Sequence, residues 1–356
     1  MKPEFTLKLM EWNRVSNERI MPWKGEKDPY KIWLSEIILQ QTRVDQGWKY
    51  YEKFIAEFPT IQELALSPDE KVYKLWEGLG YYSRCKNLLE TARTVNVQFG
   101  GIFPANYNEL KKFKGIGPYT AAAISSFAYN EPRAVVDGNV QRIISRYFGI
   151  TTPVDTLQGK LFYQELADEL LDKENPGLYN QAIMDFGATI CKPQIPICEQ
   201  CIQREECVAL NKGYIADLPV KQKSLPKKNR WLYYFLIEIG DEIYIRQRTE
   251  KDIWQNLHEF VLFESNEPIS KSFQGHPFLQ SIFLHEQYFI DHVSRLYKQQ
   301  LTHQNIHGQF IILRAEKKLG TLYSYKLIDK EKLKQFAFPK FINKFLDDRL
   351  DSNPSS

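Results

Sequence analysis

The chain has 356 residues, 43% hydrophobic and 26% charged, with 47 basic against 44 acidic side chains and a formal net charge of +3. That length exceeds the roughly 250–300 residues at which single cores stop growing, and the composition excludes a disordered or low-complexity chain. All five cysteines lie at or before Cys207 and all six histidines at or after His258. Chemistry housed before that point therefore has no histidine base, nucleophile partner or metal ligand and must use carboxylates, lysines, tyrosines or thiolates.

The N-terminal residues carry charges every few positions and lack the apolar run of roughly 7–15 residues that marks a secretory signal. The longest apolar stretches, such as 231–239, fall far short of the ~20 residues a membrane helix needs. An odd number of cysteines, four of them crowded together, suits a reduced, cytoplasmic chain with a metal site better than a disulfide framework. Residues 1–213 read as helical: apolar residues recur at three- and four-residue spacing over 30–51, 72–99, 120–129, 140–148 and 157–171. Residues 214–230, with five basic side chains, one acidic and two prolines from Asp217 onward, read as a basic linker. Beyond it the period changes. Residues 231–239 and 242–247 are aromatic and β-branched runs around Gly240-Asp241, a hairpin signal. Further strands are expected at 259–263 and 309–314, and a helix at about 340–350. The expected architecture is a mainly α N-terminal region and a smaller α+β domain over 231–356, with no internal repeat.

Within the helical region three features carry chemistry. Ile32-Trp-Leu-Ser-Glu-Ile-Ile-Leu-Gln-Gln-Thr-Arg43 is apolar nearly all round, so Glu36 should be largely buried. An isolated buried carboxylate has a raised pKa and suits a general acid near neutral pH; the plainer reading is a partner to Arg43 or Gln40. Next, Phe113-Lys-Gly-Ile-Gly-Pro-Tyr119 puts Gly115 and Gly117 just before a helix of small residues. Glycines allow close approach to a ligand, and the helix start offers N–H groups to a phosphate. Between Lys111 and Arg146 six basic residues face two acidic ones, a patch suited to a nucleic-acid backbone, although a tight turn on a solvated basic surface reads the same way. Asp137 follows the apolar Ala134-Val-Val and precedes Gly138-Asn139. It reads as a helix N-cap, a place where N–H donors also keep a carboxylate ionised.

Cys191, Cys198, Cys201 and Cys207 follow C-x6-C-x2-C-x5-C. Four thiolates in one short loop can surround a soft metal centre. Zinc sites usually pair two short C-x2–4-C knuckles and only one is present, whereas a 4Fe–4S cluster accepts looser spacing. A structural 4Fe–4S cluster is expected, with zinc as the alternative. Cys85 stands apart as a small core residue.

The glycine hairpin, an aspartate twenty residues after its second glycine and the cysteine spacing together resemble the helix-hairpin-helix DNA base-excision glycosylases with an iron–sulfur loop, over essentially all of residues 1–213. Two branches share those features, the endonuclease III type and the adenine-glycosylase (MutY) type. The first needs a lysine two positions after the second hairpin glycine, and Tyr119 stands there. The segment around Glu36 is similar to the adenine-glycosylase motif. The chain also runs about 140 residues past the cysteines, which in that branch implies a Nudix-like domain that recognises oxidised guanine; no R-E-x-x-E-E hydrolase motif occurs in it. The resemblance therefore implies a monofunctional enzyme that flips adenine out of double-stranded DNA opposite 8-oxoguanine or guanine, working as a monomer. An endonuclease III-like lyase and a non-catalytic DNA-binding scaffold are the rival readings.

The same resemblance implies roles. Glu36 would protonate adenine at N7, Asp137 would stabilise the cationic sugar, Tyr119 would bond near both acids and Asn139 would orient Asp137. Gln41 and Tyr81 match positions that wedge into the base stack, and Trp23 a position lining the adenine pocket. Lys24 stands where many members carry Arg, losing bidentate geometry, and Gln181 stands where some carry Glu. In the C-terminal domain Leu301-Thr-His resembles an F-S-H loop that contacts the oxidised guanine. Thr302 preserves the hydroxyl and His303 the histidine, while Leu301 departs from the motif.

Overall fold

The computed structural model describes residues 2–222, 226–269 and 272–352. The chain divides into two compact units, Met1–Leu66 with Lys86–Lys223, and Ser67–Cys85 with Ser224–Ser356. The division near residue 223 falls inside the basic 214–230 segment. Up to Gln222 that segment is tied to the first unit, where the Val154 amide donates to the Val220 carbonyl (3.0 Å) and the Gln222 amide to the Asp155 carboxylate (3.0 Å).

In chain order the helices of the first unit are α1 (Lys2–Val15), α2 (Pro29–Leu39), α3 (Val44–Glu57) and α4 (Ile61–Leu66). The short α5 (Asp69–Trp76) counts with the second unit, and most of α6 (Tyr82–Phe99) with the first. Then follow α7 (Tyr107–Leu110), α8 (Pro118–Tyr129), α9 (Gly138–Phe148), α10 (Leu157–Leu170), α11 (Pro176–Thr189) and α12 (Val208–Asn211). The expected helical stretch 30–51 breaks after Leu39, where Gln41 takes a left-handed φ of 56°. The stretch 72–99 breaks at Gly78 and Gly80, whose φ values of 95° and 73° no helix can contain.

The cause of the helices that matter is local. Asp28 caps α2, accepting from the Tyr30 amide, with Pro29 at its first position. Apolar residues then cover nearly its whole circumference, so α2 is buried and packs on α8, whose Ala121–Ala123 allow close approach. Helix α9 is amphipathic: Val140, Ile143, Ile144 and Tyr147 join Phe5, Leu9 and Phe186 in one core.

The second unit is a mixed sheet of β1 (Lys228–Ile239), β2 (Glu242–Gln247), β3 (His258–Glu259), β4 (Val261–Ser265), β5 (Tyr288–Val293), β6 (Tyr297–Gln300), β7 (Gln304–Ala315) and β8 (Lys326–Asp329). The β1–β2 hairpin turns at Gly240-Asp241 as expected. What local pattern did not announce is the parallel pairing of β1 with β7, from Lys228 opposite Gln304 to Glu238 opposite Arg314. That pairing explains why β1 is apolar on both faces. Tyr233 and Phe235 pack with Leu279 and Phe283 of α13 (Pro277–Phe283). Tyr234 and Phe310 stack on the opposite face near Phe341 and Phe345 of α14 (Lys340–Ser352).

Candidate active site

The first unit contains a cavity of about 730 Å³, large enough for a purine with its sugar, lined by residues of the α1–α2 segment, α2, the start of α8 and α9, and α11. It collects Glu36, Asp137, Tyr119, Asn139, Trp23, Lys24, Gln41 and Gln181.

Glu36 is 7% exposed on the third turn of α2. Burial pushes its carboxyl up to about 7; the Tyr119 hydroxyl that bonds it pulls the other way, and the negative Asp137 pushes further up. The same burial raises the Tyr119 phenol well above its ordinary range, so the phenol stays a neutral donor. Asp137 caps α9, its Oδ1 accepting from the Val140 amide and its Oδ2 from Asn139 Nδ2, both at 2.8 Å. The donors expected at a helix start are in place, yet burial is the larger effect and Asp137 lies above the usual aspartate range. Asn139 Oδ1 in turn accepts from Arg142 Nη2 (2.8 Å). That guanidinium also donates to the Gly187 carbonyl (2.7 Å) and, through Nε, to the Cys191 carbonyl (2.8 Å). A continuous chain of bonds thus runs from Asp137 to the first cysteine of the C-x6-C loop.

Arg142 and Arg146 therefore do not belong to a basic surface patch. Both are buried, and Arg146 donates to the carbonyls of Lys192 and Pro193 (2.7 Å each) and approaches Cys191 Sγ at 3.5 Å. Lys111, Lys112 and Lys114 remain exposed around the hairpin. Gly115 has φ 76°, and a Cβ there would stand 2.9 Å from Asn87 Cβ, so it needs glycine for both reasons. Gly117 is extended with open space before it, which suits approach by a backbone phosphate rather than a backbone constraint.

Cys191, Cys198, Cys201 and Cys207 are half-buried and line one hollow with Ile190, Ile197 and Leu210. Among the described residues no group of three or more His, Cys, Asp or Glu side chains is set to hold a metal ion. Four thiols ringing an apolar hollow have the chemistry for a polynuclear cluster rather than for a hard, oxygen-seeking ion.

Gln41 and Tyr81 share a feature. Both are exposed residues at interhelical turns in left-handed backbone, with φ 56° and 46°, a conformation that non-glycine residues adopt only where something over-determines it. Tyr81 lies in the second unit, where its hydroxyl is 2.8 Å from the Thr302 hydroxyl. Thr302 and His303 are exposed in the tight turn joining β6 to β7, closed by the Leu301 amide donating to the Gln304 carbonyl (2.8 Å).

Three contributors escaped the sequence reading. Arg19 lines the cavity, and Asn17 and Asp185 stand behind its wall in a cluster with Lys24 and Gln181. A signal existed for Asp185 alone: it is the one acid in the otherwise uncharged α11.

Two family models match the chain, the HhH-GPD superfamily of base excision DNA repair proteins over residues 34–161 and the NUDIX domain over 233–348. The chain is similar to the adenine DNA glycosylase of Buchnera aphidicola subsp. Schizaphis graminum, 36% identical over 265 residues that cover 73% of this chain and 75% of that one. To the Homo sapiens adenine DNA glycosylase it is 40% identical over 56% of this chain and 38% of that one. Among solved structures a thermostable thymine-DNA glycosylase superimposes with a TM-score of 0.55 at 30% identity, over 59% of this chain and 97% of the other. No helix among the described residues is long and apolar enough to cross a membrane.

Proposed function

Since the chain belongs to the adenine DNA glycosylases, base excision repair enzymes of the HhH-GPD superfamily that hydrolyse N-glycosyl bonds in DNA, we propose that it excises adenine paired with 8-oxoguanine, and more weakly with guanine, as a monofunctional and monomeric enzyme. The observation that carries the mechanism is the meeting of two differently held carboxyls in one cavity. Glu36, with its carboxyl near 7, retains a proton at neutral pH and donates it to N7 of the flipped adenine. The C1′–N9 bond then breaks with its electron pair leaving on the base, which departs neutral. The sugar is left as an oxocarbenium ion beside Asp137, whose carboxylate stabilises it or bonds to C1′ transiently. Water adds at C1′ and returns its proton to Glu36. The division of labour parallels retaining glycosidases.

Tyr119 holds Glu36 and offers no amine, so a Schiff-base lyase reaction has no nucleophile at that position. Asn139, fixed by Arg142, holds Asp137 with its anionic oxygens bonded. Trp23 packs edge-on against Tyr51 with ring centroids 5.4 Å apart and offers an apolar wall to the base, with Lys24 and Gln181 as polar contacts. Gln41 and Tyr81 are the wedges that enter the stack, Gly115 and Gly117 admit the DNA backbone, and Thr302 with His303 reads the base opposite adenine. Cys191, Cys198, Cys201 and Cys207 would hold a 4Fe–4S cluster, which supplies a rigid cross-link of their loop. The Arg142 and Arg146 bonds to loop carbonyls lock the loop from the other side.

One experiment tests this reading on protein whose iron is quantified: base release from matched duplexes holding A opposite 8-oxoguanine, G, C and T. Four irons per chain, fastest release opposite 8-oxoguanine and a loss of at least ~10³-fold in Glu36→Gln, Asp137→Asn protein are expected. Full activity of that double variant would show that the carboxyls are misassigned. Borohydride trapping of a covalent DNA adduct at catalytic strength would favour the lyase, and zinc in place of iron would remove the cluster.

A further inference from the structure

Behind the cavity wall lies Asp185 of α11, a side chain with no solvent exposure. Four donors converge on it. Arg19 Nη1 and Gln181 Nε2 reach Oδ1, each at 2.9 Å, while Asn17 Nδ2 and Lys24 Nζ reach Oδ2 at 2.8 and 3.0 Å. Gln181 stands one turn earlier on the same helix; the other three come from the segment between α1 and α2. Lys24 is tethered a second time, donating to the Arg19 carbonyl at 2.8 Å.

The chemistry of the two ends of Gln181 makes this arrangement directional. An amide can present either its carbonyl or its NH2 group to a ligand, and nothing in glutamine itself decides which. A carboxylate flanked by an ammonium and a guanidinium offers acceptor sites only. It therefore draws Nε2 back into the wall and leaves the Oε1 acceptor for the cavity that Gln181 lines. Were the amide reversed, two acceptor oxygens would face each other next to a fully buried carboxylate, at the cost of a charge-assisted hydrogen bond.

We propose that Asp185 is a specificity-positioning residue: by orienting Gln181 and tethering Lys24 and Arg19, it presents a fixed hydrogen-bond acceptor to the base, which suits a purine bearing an exocyclic amine and rejects a 6-oxopurine. Hypoxanthine has the ring of adenine with an oxygen in place of that amine, so its lone pairs would oppose those of Gln181. Discrimination of this kind comes from leaving a built-in polar group unpaired rather than from pocket size. The proposal rests on the reading of the cavity as the base pocket, and the test separates the two.

The measurement is single-turnover release of adenine and of hypoxanthine from duplexes of one sequence, each opposite the same base, with melting temperature and iron content as checks on folding. Asp185→Asn removes the charge and frees the amide to turn. It should slow adenine release about tenfold, the worth of one hydrogen bond, and raise the hypoxanthine-to-adenine rate ratio by about the same factor. Gln181→Leu deletes the acceptor while leaving the buried carboxylate its bonds to Arg19, Asn17 and Lys24, and should raise the ratio likewise; it decides the matter if Asp185→Asn fails to fold. A ratio unchanged from the parent in Gln181→Leu, or rates that fall in equal proportion in folded Asp185→Asn, would overturn the proposal. Glu36→Gln serves as the outer control: its loss of release with an unchanged Gln181→Leu ratio sinks the role of Asp185 alone, whereas full release by Glu36→Gln sinks the base-pocket reading beneath it.

Discussion

Each unit buries a glutamate, and the two are held in opposite ways. In the helical unit Glu36 has a phenol for its hydrogen-bond partner and a second carboxyl for its charged neighbour, and its own carboxyl rises to about 7. In the sheet unit Glu259, fully buried at the end of β3, is gripped by two arginines. Arg246 donates through Nε and Nη2 at 2.9 and 2.8 Å, and Arg248 pairs with the other oxygen. Arg248 also meets Asp252, which with Glu264 brackets Arg230 at 2.6 Å each. Burial pushes Glu259 up and the arginines pull it part of the way back, leaving its carboxyl above its ordinary value. The same side chain is thus scaffold where cations surround it and, in the proposed mechanism, a proton donor where they are withheld. The difference lies in the partners, since burial is nearly equal.

The largest test of that contrast is Glu259→Gln. Breaking these buried pairs takes from two arginines their most deeply buried carboxylate and should cost about 3–5 kcal/mol, read as a lower midpoint in denaturant unfolding. A cost below about 1 kcal/mol would mean that the network is solvated and that the contrast with Glu36 is one of degree. The next test concerns Glu36 and has the opposite sign. Its carboxyl is raised from 4.5 to about 7, so the folded protein keeps a proton that the unfolded chain releases. Stability present at low pH is therefore lost as pH rises through 4.5 to 7, by about 3 kcal/mol once pH exceeds 7. Glu36→Gln should melt higher than the parent at pH 8 and equal to it at pH 4; a variant that is less stable at pH 8 would show a carboxylate paired after all. The smallest effect is expected at the β6–β7 turn. Thr302→Val removes the hydroxyl facing Tyr81 and should weaken binding to duplexes holding 8-oxoguanine by about 1 kcal/mol, with the single-turnover rate at saturation unchanged. Fluorescence anisotropy against an undamaged duplex checks it, and an equal loss on both would assign Thr302 to the DNA backbone instead.

Much of the candidate site was legible because its signals are local. An acid inside an apolar helix announces its own burial, as Glu36 does. An acid between an apolar run and a Gly-Asn step announces a cap, and Asp137 is one. Four cysteines within one loop announce that they gather at one place, and they line one hollow. The signals that misled were also local: Arg142 and Arg146 count as basic residues near a hairpin, but their periodicity on α9 turns them inward, where they bond to carbonyls of the cysteine loop. The β1–β7 pairing joins residues 76 apart in the chain, as Lys228 and Gln304, and no window short enough to show a period could reveal it.

By itself the sequence determined which residue types were available for chemistry, since a helical region without histidine leaves carboxylates and thiolates, and where helices start, since caps and prolines act over three or four residues. Only tertiary structure decided what those groups do. It withheld a cation from Glu36 and supplied two to Glu259, joined Asp137 through Asn139 and Arg142 to the cysteine loop, and turned the Gln181 amide by placing Asp185 behind it. A side chain's charge and hydrogen-bond polarity depend on neighbours brought from distant segments, and the low dielectric of the interior magnifies each of those choices.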